Sequence, residues 1–223
     1  MGEMISYIAH QWRQPLNALN IILFNIEDTC DSKESDMDLM KNLLKDGTTI
    51  ISKMSNTIDD FRNFFKQTKD KSSFSLRDVI SETLAIVNTS LKFHNIAVTV
   101  TGNDDIYITG FPNEYSQVIL NILTNAKDAI LEQRLREGKI TIDFYEDDQN
   151  TVVNITDNAG GIPPDLMDRI FEPYFTTRME GKGTGIGLYM SKIIIEEHMN
   201  GSITASNTPD GAMFTIIVPH GKG

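Results

Sequence analysis

DNAGGIPPDLMDRIFEPYFTTRMEGKGTGIG, residues 157–187, carries glycine and proline at a density that neither a helix nor a strand sustains. The stretch is far longer than an ordinary connection in a compact domain, and loops of this length are usually functional lids. It is the expected mobile element of the chain. Directly before it, the β-branched run VVNI at 152–155 reads as a strand, and after it residues 187–198 space their apolar side chains as a helix. Working outward, residues 96–101 and 140–145 alternate apolar with polar side chains, and 214–218 is another short β-rich run. Residues 113–136 repeat their apolar positions at helical spacing. Strands alternating with helices predict a sheet covered by helices.

The N-terminal third follows a different rule. From 4 to 30 the large apolar residues fall at Ile5, Ile8, Trp12, Leu19, Ile22 and Ile26, with Pro15 completing a heptad-like series. A second run over 37–65 repeats the spacing through Met40, Leu43, Ile50, Met54, Phe61 and Phe64, with the polar DSKES at 31–35 between. This predicts an antiparallel helical hairpin. Two helices bury only one side of each other, so two copies forming a four-helix bundle would cover the rest. The polar TKDKSS at 68–73 ends the periodicity, and two domains are expected, 1–68 and 74–223. The fold class is α+β, a hairpin that makes a dimeric four-helix bundle followed by an α/β sandwich.

With 20 basic and 31 acidic side chains the net charge is -11, which argues against nucleic acid as a partner. An anionic ligand would need local backbone N–H groups, a metal ion and a few cations. The lone Cys30 forms no internal disulfide and suits a reducing compartment. No apolar run is long enough to cross a bilayer, and the first residues lack a signal peptide's pattern. A cytoplasmic location is expected, with room upstream of Met1-Gly2 for a sensor or membrane segment in the parent.

Four segments carry chemistry. With Ile5 and Ile8 in the seam, His10 stands on the other side of its helix, reachable by a donor, and Pro15 should bend the helix beside it. A neutral imidazole is a competent nucleophile near pH 7. In NILTNA, residues 121–126, two asparagines four apart share a helical face, and their oxygens are hard ligands of the kind Mg²⁺ takes. Asp157 ends a strand before a glycine turn, where a carboxylate can accept a hydrogen bond from an exocyclic amine. GTGIGL, residues 183–188, runs into a helix and offers N–H donors to phosphates.

In this order the segments resemble those of the sensor histidine kinases over nearly the whole chain. AHQWRQPL at 9–16 resembles the phosphoacceptor box and residues 121–126 the asparagine box. Residues 157–163 are similar to the first glycine box, FEPYFTT at 171–177 to the phenylalanine box and 183–188 to the second glycine box, with Gly211 opening a weaker third. The resemblance implies a dimerisation and phosphotransfer bundle joined to an ATP-binding sandwich of the gyrase and chaperone type. It implies Asn121 and Asn125 as Mg²⁺ ligands and Asp157 as the adenine contact. Asp128, Gly161, Ile162 and Phe175 would complete the nucleotide contacts together with Lys182, Gly183, Thr184, Gly185, Ile186, Gly187 and Leu188. Phe171 and Phe175 read as lid anchors, and Lys182, with Arg178, as cations near the phosphates. His10, assisted by Gln11 and Asn121, would be phosphorylated from Mg·ATP and pass the group to an aspartate of a response-regulator receiver domain.

Three departures stand out. Gln11 replaces the acidic residue that many relatives carry after the histidine, and an amide takes no proton, so Gln11 is read as an orienting group. Ala159 replaces a common glycine, and Ala212 stands where a threonine often sits. The alternatives are a dimeric pseudokinase scaffold that binds nucleotide and regulator, and an ATPase conformational switch. His94, His198 and His220 share no local cluster and are assigned no chemistry.

Overall fold

The computed structural model describes residues 2–31, 37–65, 71–177 and 185–220, and within the first two segments the side chains of residues 15–30, 37–51 and 54. The described residues form two compact units, one holding the first two helices and the other every strand.

In the first unit α1 (Gly2–Asp31) runs through Pro15 and is followed by α2 (Met37–Phe65). Gly47 of α2 is buried, and a Cβ built on it would lie 3.6 Å from both Leu19 and Ile22 of α1. Gly47 is ten residues into α2, while Ile22 lies nine residues before the end of α1. Contacts at similar distances on either side of the connection define an antiparallel hairpin. Of the expected seam residues, Leu19, Ile22, Ile26, Met40, Leu43, Ile50 and Met54 are half-buried, while the side chains of Ile5, Ile8, Trp12, Phe61 and Phe64 lie outside the described ones.

The second unit opens with β1 (Ser72–Ser75) and α3 (Leu76–Phe93), then β2 (Ile96–Gly102) and β3 (Tyr107–Gly110). There follow α4 (Pro112–Glu132), β4 (Gly138–Glu146), β5 (Asn150–Asp157), α5 (Gly187–Ile193), a π-helical turn (Ile194–His198), β6 (Ser202–Asn207) and β7 (Ala212–Pro219). The main sheet has the order β2-β4-β5-β7-β6, with β2 parallel to β4 and every other pairing antiparallel. The short β1 and β3 pair separately. Buried and accessible residues alternate along β4 and β7, the signature of a sheet with one covered face. The cover is α3 over β2, α4 over β4 and β5, and α5 with its π turn over β6 and β7. Ile119, Ile122, Leu123 and Ile130 of α4 meet a core that includes Ile140, Ile142, Ile155 and Ile216.

The expected strands and helices all occur, with one boundary corrected. Helix α4 stops at Glu132 rather than near 136, because Gln133 caps it and Arg134 takes a φ of +53°. Helix α3 and the strands β1, β3 and β6 have no counterpart in the sequence reading.

Candidate functional site

Helix α4 supplies the asparagine pair. Proline at its start suits a first turn that needs no N–H, and its buried apolar face fixes which residues are left for other work. Asn121 and Asn125 are both half-buried one turn apart. The Asn121 amide is held on both ends: Gln117 Nε2 donates to its Oδ1 at 3.0 Å, while its Nδ2 donates to the Gly187 carbonyl at 3.1 Å and to Ser191 Oγ at 3.3 Å. Ser191 Oγ in turn donates to the Gly187 carbonyl at 2.9 Å. The asparagine segment and the start of α5, distant in sequence, are thus one hydrogen-bonded structure. Further along, Asp128 is half-buried with Lys127 Nζ at 3.7 Å from its Oδ1.

Asp157 is the last residue of β5 and is buried. Its Oδ1 accepts the backbone N–H of Ala159 at 2.8 Å and of Ala212 at 3.2 Å. Burial pushes its carboxyl above the usual carboxylate range, and those two N–H groups oppose the push. Gly211 is obligatory beside it, since a Cβ there would lie 2.0 Å from the Asp157 carbonyl oxygen. The turn that follows holds Gly160 at φ +81° and Gly161 at φ +86°, conformations an L side chain rarely takes. Asn207 of β6 clasps this turn, accepting the Ile162 N–H at 2.7 Å and donating to the Ile162 carbonyl at 2.7 Å. Ala159, standing where glycine is common, is itself buried.

Beyond the turn, Phe171 packs edge-on against Phe214 of β7 with Lys192 Nζ 5.8 Å from its ring. The Arg169 guanidinium lies 4.5 Å from the Phe175 ring. Gly185, at φ +65°, touches the Tyr174 backbone so closely that no Cβ would fit, whereas Gly187 has an ordinary φ and would bring a Cβ to 3.5 Å from the Asn121 side chain. Ile186 is buried and Leu188 half-buried at the entry of α5.

The structure thus brings Asn121, Gly187 and Ser191 together directly, and Asp157 with Ala159, Gly211 and Ala212. Arg178, Lys182, Gly183 and Thr184 lie outside the described residues. His10 and Gln11 lie on the backbone of α1, but their side chains are outside the described ones too. Sequence reasoning gave no role to four residues, Gln117, Asn207, Glu114 and His198, the last of them named but assigned no chemistry. Gln117 was within reach, one helical turn before Asn121. Asn207 and the pair formed by His198 and Glu114, 2.6 Å apart, come from segments remote in sequence and leave no local signal.

A sheet faced by three helices, with an asparagine helix stapled to a glycine-entered helix and an aspartate buried at a strand end, defines the ATPase module that gyrase B, the HSP90 chaperones and the histidine kinases share. The model of the histidine kinase-, DNA gyrase B- and HSP90-like ATPase family matches residues 110–222. The chain belongs to that family and, within it, is a catalytic core of the two-component sensor histidine kinase class, a class of ATP-dependent phosphotransferases. It is 31% identical to the two-component sensor PprA of Pseudomonas aeruginosa over 98% of its own length and 24% of the relative's. It is 30% identical to sporulation kinase A of Bacillus subtilis over 98% of this chain and 34% of that one. The chain therefore spans about a quarter of the first of these relatives and a third of the second. Among solved structures, the catalytic domain of histidine kinase ThkA superposes with a TM-score of 0.62 at 27% identity, covering 67% of this chain and 95% of that one. Among the described residues no helix is long and apolar enough to cross a membrane.

Proposed function

We propose that the second unit binds Mg·ATP and that the γ-phosphoryl group passes to His10, and from there to an aspartate of a response-regulator receiver domain. One observation carries this reading: Asn121 is fastened to Gly187 and Ser191, so the asparagine helix and the glycine-entered helix are held as the two sides of one site. In that site the second oxygen of Asp157 accepts from the adenine amine, because Oδ1 is already taken by two backbone donors. Asn121 and Asn125 offer the hard oxygen donors that magnesium prefers, and the Gln117 bond fixes the Asn121 amide while leaving it a lone pair. Bound there, Mg²⁺ would neutralise charge on the β- and γ-phosphates. The chain's own part is positioning and electrostatics. The bond from the γ-phosphorus to the bridging oxygen breaks, ADP leaves, and a bond to the His10 imidazole forms.

The same proposal makes the chain a homodimer through the hairpin. In a single hairpin Leu16 and Leu23 of α1, and Met37, Leu44 and Ile51 of α2, remain exposed at seven-residue spacing, a second apolar stripe beside the one already in use. Two such stripes facing each other make a four-helix bundle. A receiver-domain partner is supported by the two-component relatives.

The test is incubation with γ-labelled ATP followed by mapping of an acid-labile, base-stable phosphate. Label is expected on His10 and lost in His10→Gln; label retained by that variant moves the acceptor elsewhere. Tight ATP binding with no label would instead mean a pseudokinase scaffold.

A further inference from the structure

We infer that Glu114 and His198 are a positioning pair that sets α4 against α5 and thereby presents Asn121; this deepens the nucleotide reading above and rests on it. Glu114 sits in the first turn of α4 and is only 8% exposed. Its Oε2 lies 2.6 Å from His198 Nδ1, while its buried Oε1 has no hydrogen-bond partner among the described residues. Sinking a carboxylate with one oxygen unmet costs stability, and an apolar side chain would fill the space more cheaply. The geometry of the pair accounts for its presence.

His198 closes the π-helical turn that extends α5, where Met199 N–H reaches back to the Ile194 carbonyl at 3.2 Å. Such wide turns recur at functional positions in helices. The imidazole is steadied by the edge of Phe111, 6.2 Å between ring centroids, and Lys71 Nζ lies 5.7 Å from that same Phe111 ring. Asn121 lies seven residues after Glu114, two turns along the same face of α4, and makes the second tie to α5 through Gly187 and Ser191. Between the two ties stands Gln117, which orients the Asn121 carbonyl oxygen. Two rigid helices joined at two levels share one register, so loosening the Glu114–His198 tie shifts the Asn121 tie. Glu114 and His198 act through Asn121 and touch no substrate themselves.

The experiment compares ATP affinity with and without Mg²⁺ in the full chain and in Glu114→Gln, Glu114→Ala and His198→Ala. The alanine variants are expected to bind Mg·ATP about tenfold more weakly, as outer-shell changes do, with metal-free ATP much less affected. Glu114→Gln, which can still accept from Nδ1–H, should stay near the unaltered chain. Equal losses with and without Mg²⁺, or a glutamine as damaging as alanine, overturn the pair's role. A second measurement needs no nucleotide: the ¹⁵N side-chain amide resonance of Asn121 should shift in His198→Ala, and an unchanged resonance overturns the inference. If that resonance shifts but the unaltered chain shows no magnesium-dependent binding, the positioning stands and the nucleotide reading fails.

Discussion

The Tyr174 N–H donates to the Gly185 carbonyl at 2.8 Å, and the two residues sit in left-handed backbone conformations, both with φ of +65°. This bond joins the two ends of the segment that leads from the phenylalanine-rich turns to α5. A Cβ on Gly185 would lie 2.3 Å from the Tyr174 carbonyl carbon, a distance no side chain tolerates.

Gly185→Ala should therefore destabilise the fold by more than about 2 kcal/mol, from left-handed strain plus the collision. Gly187→Ala meets only the Asn121 side chain at 3.5 Å and should cost much less. Thermal unfolding of the two variants side by side decides it; equal melting temperatures would contradict the geometry.

Asp157 offers a test with a pH sign. Its carboxyl is raised by burial, so the folded state holds its proton to higher pH than the unfolded state does. That contribution to stability is fully present below the unfolded-state value and is lost as pH rises through the folded-state one. Asp157→Asn removes the buried charge and keeps an oxygen for the Ala159 and Ala212 N–H groups. The variant should match or exceed the unaltered chain in melting temperature at neutral pH, and the difference should shrink on acidification. On the proposed adenine contact its ATP affinity should fall about tenfold or more, because the amide nitrogen would then face the adenine amine, donor against donor. A variant less stable at neutral pH, with the gap widening as pH rises, would reverse the sign.

How much of this was legible in advance depends on distance along the chain. Local patterns carried β4, whose residues 140–145 alternate apolar with polar side chains, β7, read from its short β-rich run at 214–218, and both helices of the hairpin. Helix α3 escaped because its buried face includes Thr83, bonded to Ser116 Oγ at 2.7 Å, and because the polar Asn88, Thr89 and Ser90 fill its last turns. Strand β6 reads SITASN and is a strand only because β7 pairs with it. The Asn121 and Asp157 segments stood out through their spacing. The partners that orient them, Ser191 and Ala212, lie 70 and 55 residues away and are fixed by the sheet order, which composition does not encode.

Asn207 is one of those distant partners, and its amide replaces a strand neighbour for Ile162. Asn207→Ala should cost about 1 kcal/mol and leave the Ile162 N–H open to solvent. Amide hydrogen exchange at Ile162 should accelerate while exchange in β5 does not. Unchanged protection at Ile162 would mean that the turn is held by Gly160 N–H and the Asp210 carbonyl, 2.9 Å apart, without help.

In the hairpin, Gly47 is a helix-interior glycine with room for a methyl group, since the nearest atoms of Leu19 and Ile22 are 3.6 Å from a built Cβ. Gly47→Ala adds helix propensity and contact at once and should stabilise the first unit by about 1 kcal/mol. Denaturant unfolding followed by circular dichroism reads it, and a loss of stability would mean that α1 and α2 approach more closely than these distances allow.

The second stripe of the hairpin gives the test of the dimer. Leu44 is 54% exposed in the single chain, so a charge there barely disturbs one hairpin. Facing a second copy, the same charge would enter an apolar seam with no partner, at a cost of several kcal/mol per dimer. Leu44→Glu should therefore sediment as a monomer with its helix content intact, while Lys45→Glu, also exposed and one residue off the stripe, should remain dimeric. Sedimentation equilibrium at micromolar concentration separates the two. A Leu44→Glu variant with the dimer's mass would move the interface to another face of the hairpin, and an unaltered chain that is already monomeric would remove the dimer from the proposal.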